Sequence, residues 1–273
     1  MSAALDGKIA VVTGASRGIG RGTAIALGEL GATVYVTGRT TGDGELTIDT
    51  TARLVADAGG RGIAVETDHG DDDQIGRLFE RVGREQGHLD VLVNNVYKIP
   101  DPPAWGGGFW DHPISVWDDQ VGIGLRAHYV ASWYAAPLLL AAGPGAAIVN
   151  VSSPGGQSYH FSSSYGAGKA GLDRLGADMA IELAPHGIAC CTVYPGSVGT
   201  EFIKEWAEAR GSNVDDAQTP LGVGRAIGAL LTAPDLMGRS GSIQWIEDLG
   251  VEFDVRDERG RLPPPYARRQ PAE

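Results

Sequence analysis

Residues 8–30, KIAVVTGASRGIGRGTAIALGEL, decide the fold. The segment 8–13 is a short apolar run that ends in a glycine cluster, as a buried parallel strand does. After it, Ile19, Ala24, Ile25, Ala26, Leu27 and Leu30 recur at helical spacing, and Gly31 ends the helix. TVYVT at 33–37 then reads as a second strand. The same alternation continues outward, with helices expected over 47–58, 72–86, 116–142 and 164–185 and strands over 62–66, 90–93, 147–151, 188–193 and 242–246. Near-continuous apolar strands alternating with helices predict an α/β chain: a single-domain, Rossmann-type, doubly wound parallel sheet of about seven strands with helices on both faces.

One domain is expected over 1–250, with 251–273 as a C-terminal extension. Stretches 97–117 and 200–220 break the rhythm. Ligands of an open α/β sheet sit beyond the carboxyl ends of its strands, so both stretches are expected over the site as substrate loops. Of 273 residues, 42% are hydrophobic and 21% charged, ordinary for a globular chain and too apolar for disorder. The formal net charge of −12 repels phosphate backbones and gives nucleic-acid binding little electrostatic support. Adjacent Cys190 and Cys191 cannot easily form a relaxed disulfide and read as a buried reduced pair. The most apolar stretch, 129–151, is broken by Pro137, Gly143, Pro144 and Gly145 and reads as core rather than membrane span. No secretory pattern is visible at the N-terminus, so a cytoplasmic protein is expected. The histidines show no metal-ligand spacing, and no metal is expected.

Gly14, Gly18 and Gly20 lie between the first strand and the first helix, where a pyrophosphate can meet backbone N–H groups and the positive helix end. After the second strand comes Gly38-Arg39, with no carboxylate until Asp43. Arg39 can hold a 2′-phosphate, and Arg17 adds a second cation, so NADP(H) is favoured while NAD(H) stays open. Tyr165 and Lys169, four residues apart, share one helical face. An ammonium beside a phenol lowers its pKa toward use in acid–base chemistry. Ser152 and Ser153 end the preceding strand, where a hydroxyl can steady a substrate carbonyl.

TGASRGIG, the pair Asn94-Asn95, the Ser-Ser end of the fifth strand, YGAGK, and Tyr194-Pro195-Gly196 followed by Thr200 resemble, in order and spacing, the short-chain dehydrogenases/reductases. The resemblance runs from about residue 6 to 250. It implies an NADP(H)-dependent oxidoreductase acting on a carbonyl or secondary alcohol. Tyr165 would be the acid–base group, Lys169 would hold the nicotinamide ribose and tune the tyrosine, and Ser153, or else Ser152, would polarise the carbonyl. The glycine loop with Ser16, Arg17 and Ile19, then Arg39, Asp68, Asn94, the Pro195-Gly196 turn, Val198 and Thr200 would contact the cofactor. A homo-oligomer, dimer or tetramer, joined through helices 116–142 and 164–185 is implied as well.

Two stretches depart from the family pattern. Asn-Asn-Ala-Gly reads Asn94-Asn95-Val96-Tyr97, and the family's helix asparagine aligns with Gly124. The loss of that asparagine motivates an alternative, a nucleotide-binding protein of the same fold with little or no turnover. Tyr97, Trp105, Phe109 and Trp110, with His160 just before the catalytic tyrosine, are expected to line a pocket for an apolar or aromatic small molecule. The proline run 263–265, Tyr266 and Arg268-Arg269 leave the extension able to cross the mouth of the site.

Overall fold

A computed structural model of the chain describes residues 3–266, so Arg268 and Arg269 lie outside the described residues. The strands are β1 (Ile9–Val12), β2 (Thr33–Gly38), β3 (Arg61–Glu66), β4 (Val91–Asn94), β5 (Ala147–Val151), β6 (Ala189–Tyr194) and β7 (Ile243–Trp245). They form one seven-stranded sheet in the order β3-β2-β1-β4-β5-β6-β7. Every pairing is parallel, with Val12 beside Val36 on one side and Val93 on the other. The helices are α1 (Gly18–Glu29), α2 (Ile48–Asp57), α3 (Asp72–Gln86), α4 (Ser115–Trp117), α5 (Ala127–Ala142), α6 (Ser163–Leu183), α7 (Glu201–Glu208), α8 (Pro220–Thr232), α9 (Leu236–Arg239) and α10 (Ile246–Glu252).

Alternate strand residues face opposite sides of the sheet, and the core divides accordingly. Ala10 and Val12 of β1 pack with Ala24 and Leu27 of α1, Val55 of α2, and Val223 and Ile227 of α8. Ile9 and Val11 pack on the other side with Ile75 and Leu78 of α3, Ala131 and Leu139 of α5, and Met179 of α6. Asp90 pins the start of this arrangement. Nearly buried, it accepts the Ile9 N–H at 2.8 Å and the Lys8 ammonium at 2.9 Å. Cys190 and Cys191 are free and buried. None of the described helices is long and apolar enough to cross a membrane.

Two helical regions differ from the pattern read in the sequence. The continuous helix expected over 116–142 opens instead with α4, widens into π-helical turns over Asp118–Arg126, and only then becomes α5. Gly122 and Gly124 weaken α-helical preference there, and the wider turns carry Gln120 and Gly124 inward. Helices α7 and α8 had no counterpart in the sequence pattern. In α8, Val223, Ala226, Ile227, Leu230 and Leu231 are all buried. Their spacing of i, i+3, i+4, i+7 and i+8 is a helical stripe, interrupted in the sequence by Gly222, Gly224 and Gly228.

The fully buried Leu92 of β4 sits between the helical layers and the sheet. Leu92→Ala is expected to lower the unfolding free energy by ~2–5 kcal/mol in denaturant melts. Ile114→Ala, at a side chain 85% exposed, is expected to change it by less than about 0.5 kcal/mol.

Candidate active site

Strand order reverses at β1, whose neighbours β2 and β4 lead away in opposite directions, and the crevice opens beyond the carboxyl ends of β1 and β4. Gly14 turns the chain out of β1 at φ +66°, and a Cβ on it would stand 2.7 Å from Cα of Val96. Asn95 fastens the two strand ends together, donating its side-chain amide to the carbonyls of Thr13 at 2.8 Å and Gly14 at 3.0 Å. At the start of α1 the Gly18 N–H donates to the Glu201 carboxylate at 2.9 Å. A carboxylate therefore already occupies the positive end of α1, where a phosphate oxygen would be held in the same way.

A groove of about 580 Å³ runs from this loop past Ser16, Arg17, Arg39, Thr40, Asp68 and His69. The Arg39 side chain is 63% exposed, with its guanidinium 3.8 Å from the Asp68 carboxylate. Backbone donors at a helix start, two arginines and a carboxylate along one groove fit the phosphates and the adenosine end of a dinucleotide. Asp68 does not cap α3. Asp71 does, accepting the N–H groups of Asp73 and Gln74, while Asp68 accepts the N–H of Gly70 at 2.9 Å. Gly20 and Asn94 lie behind the groove rather than along it. Gly20 faces the Asn95 side chain and the Gly14 carbonyl. Asn94 is fully buried and donates to Ser132 at 2.9 Å and Asn150 at 3.0 Å, so the polar residue that reaches the crevice is its neighbour Asn95.

Ser162 caps α6 by accepting the Tyr165 N–H at 3.2 Å, which sets the first turn on which Tyr165 and Lys169 stand. The Ser153 hydroxyl lies beside the Tyr165 side chain, both facing Gly155, and accepts the Gly155 N–H at 3.1 Å. Ser152 is buried behind it and donates to the Lys169 carbonyl at 3.3 Å. Of the two serines, Ser153 is the one that meets the tyrosine. The Lys169 ammonium is buried, donates to the Val151 carbonyl at 3.1 Å, and lies 5.9 Å from the centre of the Tyr165 ring.

Burial, rather than Lys169, dominates the Tyr165 phenol and pushes it up to about 12, with the Ser153 hydroxyl pulling the other way. This reverses the direction expected from the tyrosine–lysine spacing. Burial likewise draws Lys169 down to about 8, opposed by the negative charge of Asp173. Tyr165 is thus a protonated acid, and Lys169 an ammonium held near its limit.

Beside this pair lies a cavity of about 380 Å³, lined by Tyr97, Ile99, Trp105, Phe161, Phe202 and Ile203, with Pro195, Gly196, Val198 and Thr200 along one wall and Ile19 at the glycine loop. Trp105 closes it, stacking on Phe161 at 5.2 Å and meeting Phe202 at 5.7 Å and Trp206 at 5.0 Å. Three residues expected to line the pocket do not. Phe109 and Trp110 are 71% and 74% exposed and pack edge-to-face on each other. The glycine run before them leads into a one-turn helix over Phe109–Asp111 that Asp111 ties to the Gly108 N–H at 2.8 Å, and this turn carries both rings outward. His160 points instead to the tail, its Nε2 2.7 Å from the Tyr266 hydroxyl. Phe161, at a rare φ of +57°, takes the wall position that the sequence suggested for His160. The contribution of Phe202 and Ile203 was not legible, because their helix α7 lay inside a stretch read as loop. Among the described residues no cluster of His, Cys, Asp and Glu could hold a metal ion.

The sequence model of the short chain dehydrogenase family matches residues 8–211. The mouse (Mus musculus) protein "Dehydrogenase/reductase SDR family member 1" is 42% identical over 275 aligned residues, covering 96% of this chain and 86% of its own. Among solved structures, a short chain dehydrogenase of Mycobacterium thermoresistibile superposes with a TM-score of 0.80 at 25% identity, covering 93% of this chain and 90% of its own. The angucycline C-6 ketoreductase LanV, solved with bound NADP, gives 0.76 at 26% identity over 90% of this chain and 96% of its own.

Two buried histidines border the site. His69 Nε2 lies 2.8 Å from the Thr37 hydroxyl and His128 Nε2 2.8 Å from the Val96 carbonyl. Burial draws both below the ordinary 6.5, to about 4 and about 3. Below pH 6.5 the unfolded chain therefore binds protons that the folded chain refuses, so stability rises with pH in this window and falls on acidification. Denaturant melts are expected to lose stability from about pH 6.5 downward, the slope rising toward roughly 1.4 kcal/mol per pH unit for each ring near pH 5. His69→Gln is expected to remove one ring's share of that slope.

Proposed function

The chain belongs to the short chain dehydrogenase family, and from that premise we propose that it is an NADP(H)-dependent reductase of carbonyl compounds, or dehydrogenase of the corresponding secondary alcohols, whose substrate is apolar or aromatic. The observation that carries this reading is the contact of the Tyr165 phenol with the Ser153 hydroxyl, one turn from buried Lys169, at the wall of an apolar cavity that adjoins the glycine-loop groove.

The nicotinamide, when bound, supplies a hydride to the carbonyl carbon or accepts one from the alcohol carbon. The chain's own residues manage the proton and the charge. Ser153 donates a hydrogen bond to the substrate oxygen and polarises it. Tyr165, a phenol that burial keeps protonated well above neutral pH, gives its proton to that oxygen as negative charge develops there. Lys169 stabilises the phenolate left behind; in the oxidative direction the same groups run in reverse. Trp105, Phe161 and Phe202 exclude water and favour a flat or alicyclic substrate body.

Arg39 supports NADP(H) over NAD(H), since its guanidinium lies exposed along the groove after β2 and no carboxylate follows until Asp43. Stretches 97–117 and 200–220 act as the substrate loops, and the extension from residue 251 braces the second of them, Arg259 donating to the Ala217 carbonyl at 3.2 Å and Arg261 to the Asp215 carbonyl at 2.9 Å. Tyr129, Trp133 and Leu140 of α5 and Ile181 of α6, all exposed, support a homo-oligomer joined through these two helices in the cytoplasm.

Oxidation of NADPH and NADH, followed by absorbance with a panel of aliphatic, alicyclic and aromatic ketones, aldehydes and quinones, tests the reading. Tyr165→Phe is expected to abolish turnover while leaving NADPH affinity within about threefold. Arg39→Leu is expected to raise the KM for NADPH by roughly 10–100-fold, the worth of a charge-assisted contact, and to leave that for NADH nearly unchanged. Tight NADPH binding with no turnover in either direction would favour the nucleotide-binding alternative.

A further inference from the structure

Tyr97 and Gly124, both departures from the family pattern, are in contact. A Cβ on Gly124 would stand 3.1 Å from Cδ2 and 3.3 Å from Cε2 of Tyr97. The tyrosine ring therefore fills the volume that a side chain at 124 would need. It is held there from several sides. Its ring meets that of Tyr165 at 5.9 Å in a near-perpendicular arrangement. Near it lies the side chain of Gln120, which the widened turns bring inward and which accepts the Ser162 hydroxyl at 2.9 Å.

The ring is also a neighbour of the Lys169 ammonium, which lies over it at 5.3 Å from the ring centre. That ammonium carries three donors, of which the Val151 carbonyl takes one. Of the titratable groups around it, Asp173 favours its charge in part and the others do not. Asp173, one turn further along α6, has its carboxylate engaged by the Tyr194 hydroxyl and is itself pushed up by burial. His128 from α5 is a buried ring held neutral by burial and by Lys169 itself. Tyr165 carries its proton. A desolvated ammonium gains most from the negative face of an aromatic ring.

We propose that Tyr97 is a positioning residue for the reaction, its ring face holding the charge of Lys169 beside Tyr165, and that the absence of a side chain at Gly124 is what admits the ring. The catalytic meaning of this arrangement rests on the reductase reading, whereas the electrostatic hold itself does not.

The chain has four lysines, Lys8, Lys98, Lys169 and Lys204, so lysine-selective ¹³Cε NMR of the whole protein resolves the titration of Lys169, assigned by its loss in Lys169→Arg. Tyr97→Phe keeps the ring face and is expected to leave that titration nearly unchanged. Tyr97→Leu is expected to move it about one pH unit lower, and to move the high-pH limb of kcat by the same amount. Gly124→Leu, whose side chain needs the volume the ring occupies, is expected to shift Lys169 in the same direction, and to add nothing further in a Tyr97→Leu background. An unshifted Lys169 in a Tyr97→Leu protein with a native amide spectrum would overturn the proposal, as would additive shifts in the double variant. Should Tyr97→Leu fail to fold, an unshifted Lys169 in Gly124→Leu would overturn it equally. A shifted Lys169 in a protein that turns over no carbonyl would support the hold on the charge while refuting the reductase reading.

Discussion

A buried positive charge is the constraint around which the site is arranged. An ammonium removed from water is costly unless its surroundings replace hydration, and Lys169 lies among the end of β5, the first turns of α6 and the residues that follow β4. The Val151 carbonyl receives one of its protons, Asp173 opposes the loss of its charge, and the Tyr97 ring lies beneath it. Val151 ends β5 and Tyr97 follows β4, so the parallel pairing of these strands brings both to one spot, while Asp173 stands one turn further along the lysine's own helix.

Much of this was legible in the sequence, for reasons that differ from element to element. Residues 8–30 show a buried strand, a glycine turn and an amphipathic helix in direct succession, and that succession specifies a parallel α/β sheet almost by itself. Tyr165 and Lys169 were legible because a helix places fourth neighbours together. What escaped was whatever depends on the local path of a loop. The outward turn of Phe109 and Trp110 follows from a one-turn helix capped by Asp111, which composition does not reveal. Likewise the exchange of His160 for Phe161 in the cavity wall hangs on a single backbone angle. The Ser152–Ser153 choice also lay beyond the spacing, since neighbouring residues at a strand end point to opposite sides.

The direction of the tyrosine's titration was missed for another reason. Sequence spacing shows that an ammonium is near the phenol, but not how far both are withdrawn from water, and here desolvation is the larger effect. The same blindness hides the relation between Tyr97 and Gly124, which are 27 residues apart by their numbers in the chain. Taken singly each looks like a lost family feature. In three dimensions the large residue occupies the space that the small one leaves, so the site remains packed and its charged lysine remains faced.

The most direct measurement of the central claim follows an atom rather than a rate. The protein would be incubated with a carbonyl substrate and NADPH deuterated on the transferable face of nicotinamide C4, and the alcohol product analysed by mass spectrometry and NMR. Deuterium at the carbinol carbon, with the hydroxyl proton drawn from solvent and no product from Tyr165→Phe, is the result this account predicts. Absence of label in the alcohol, or equal labelling by Tyr165→Phe, would contradict it.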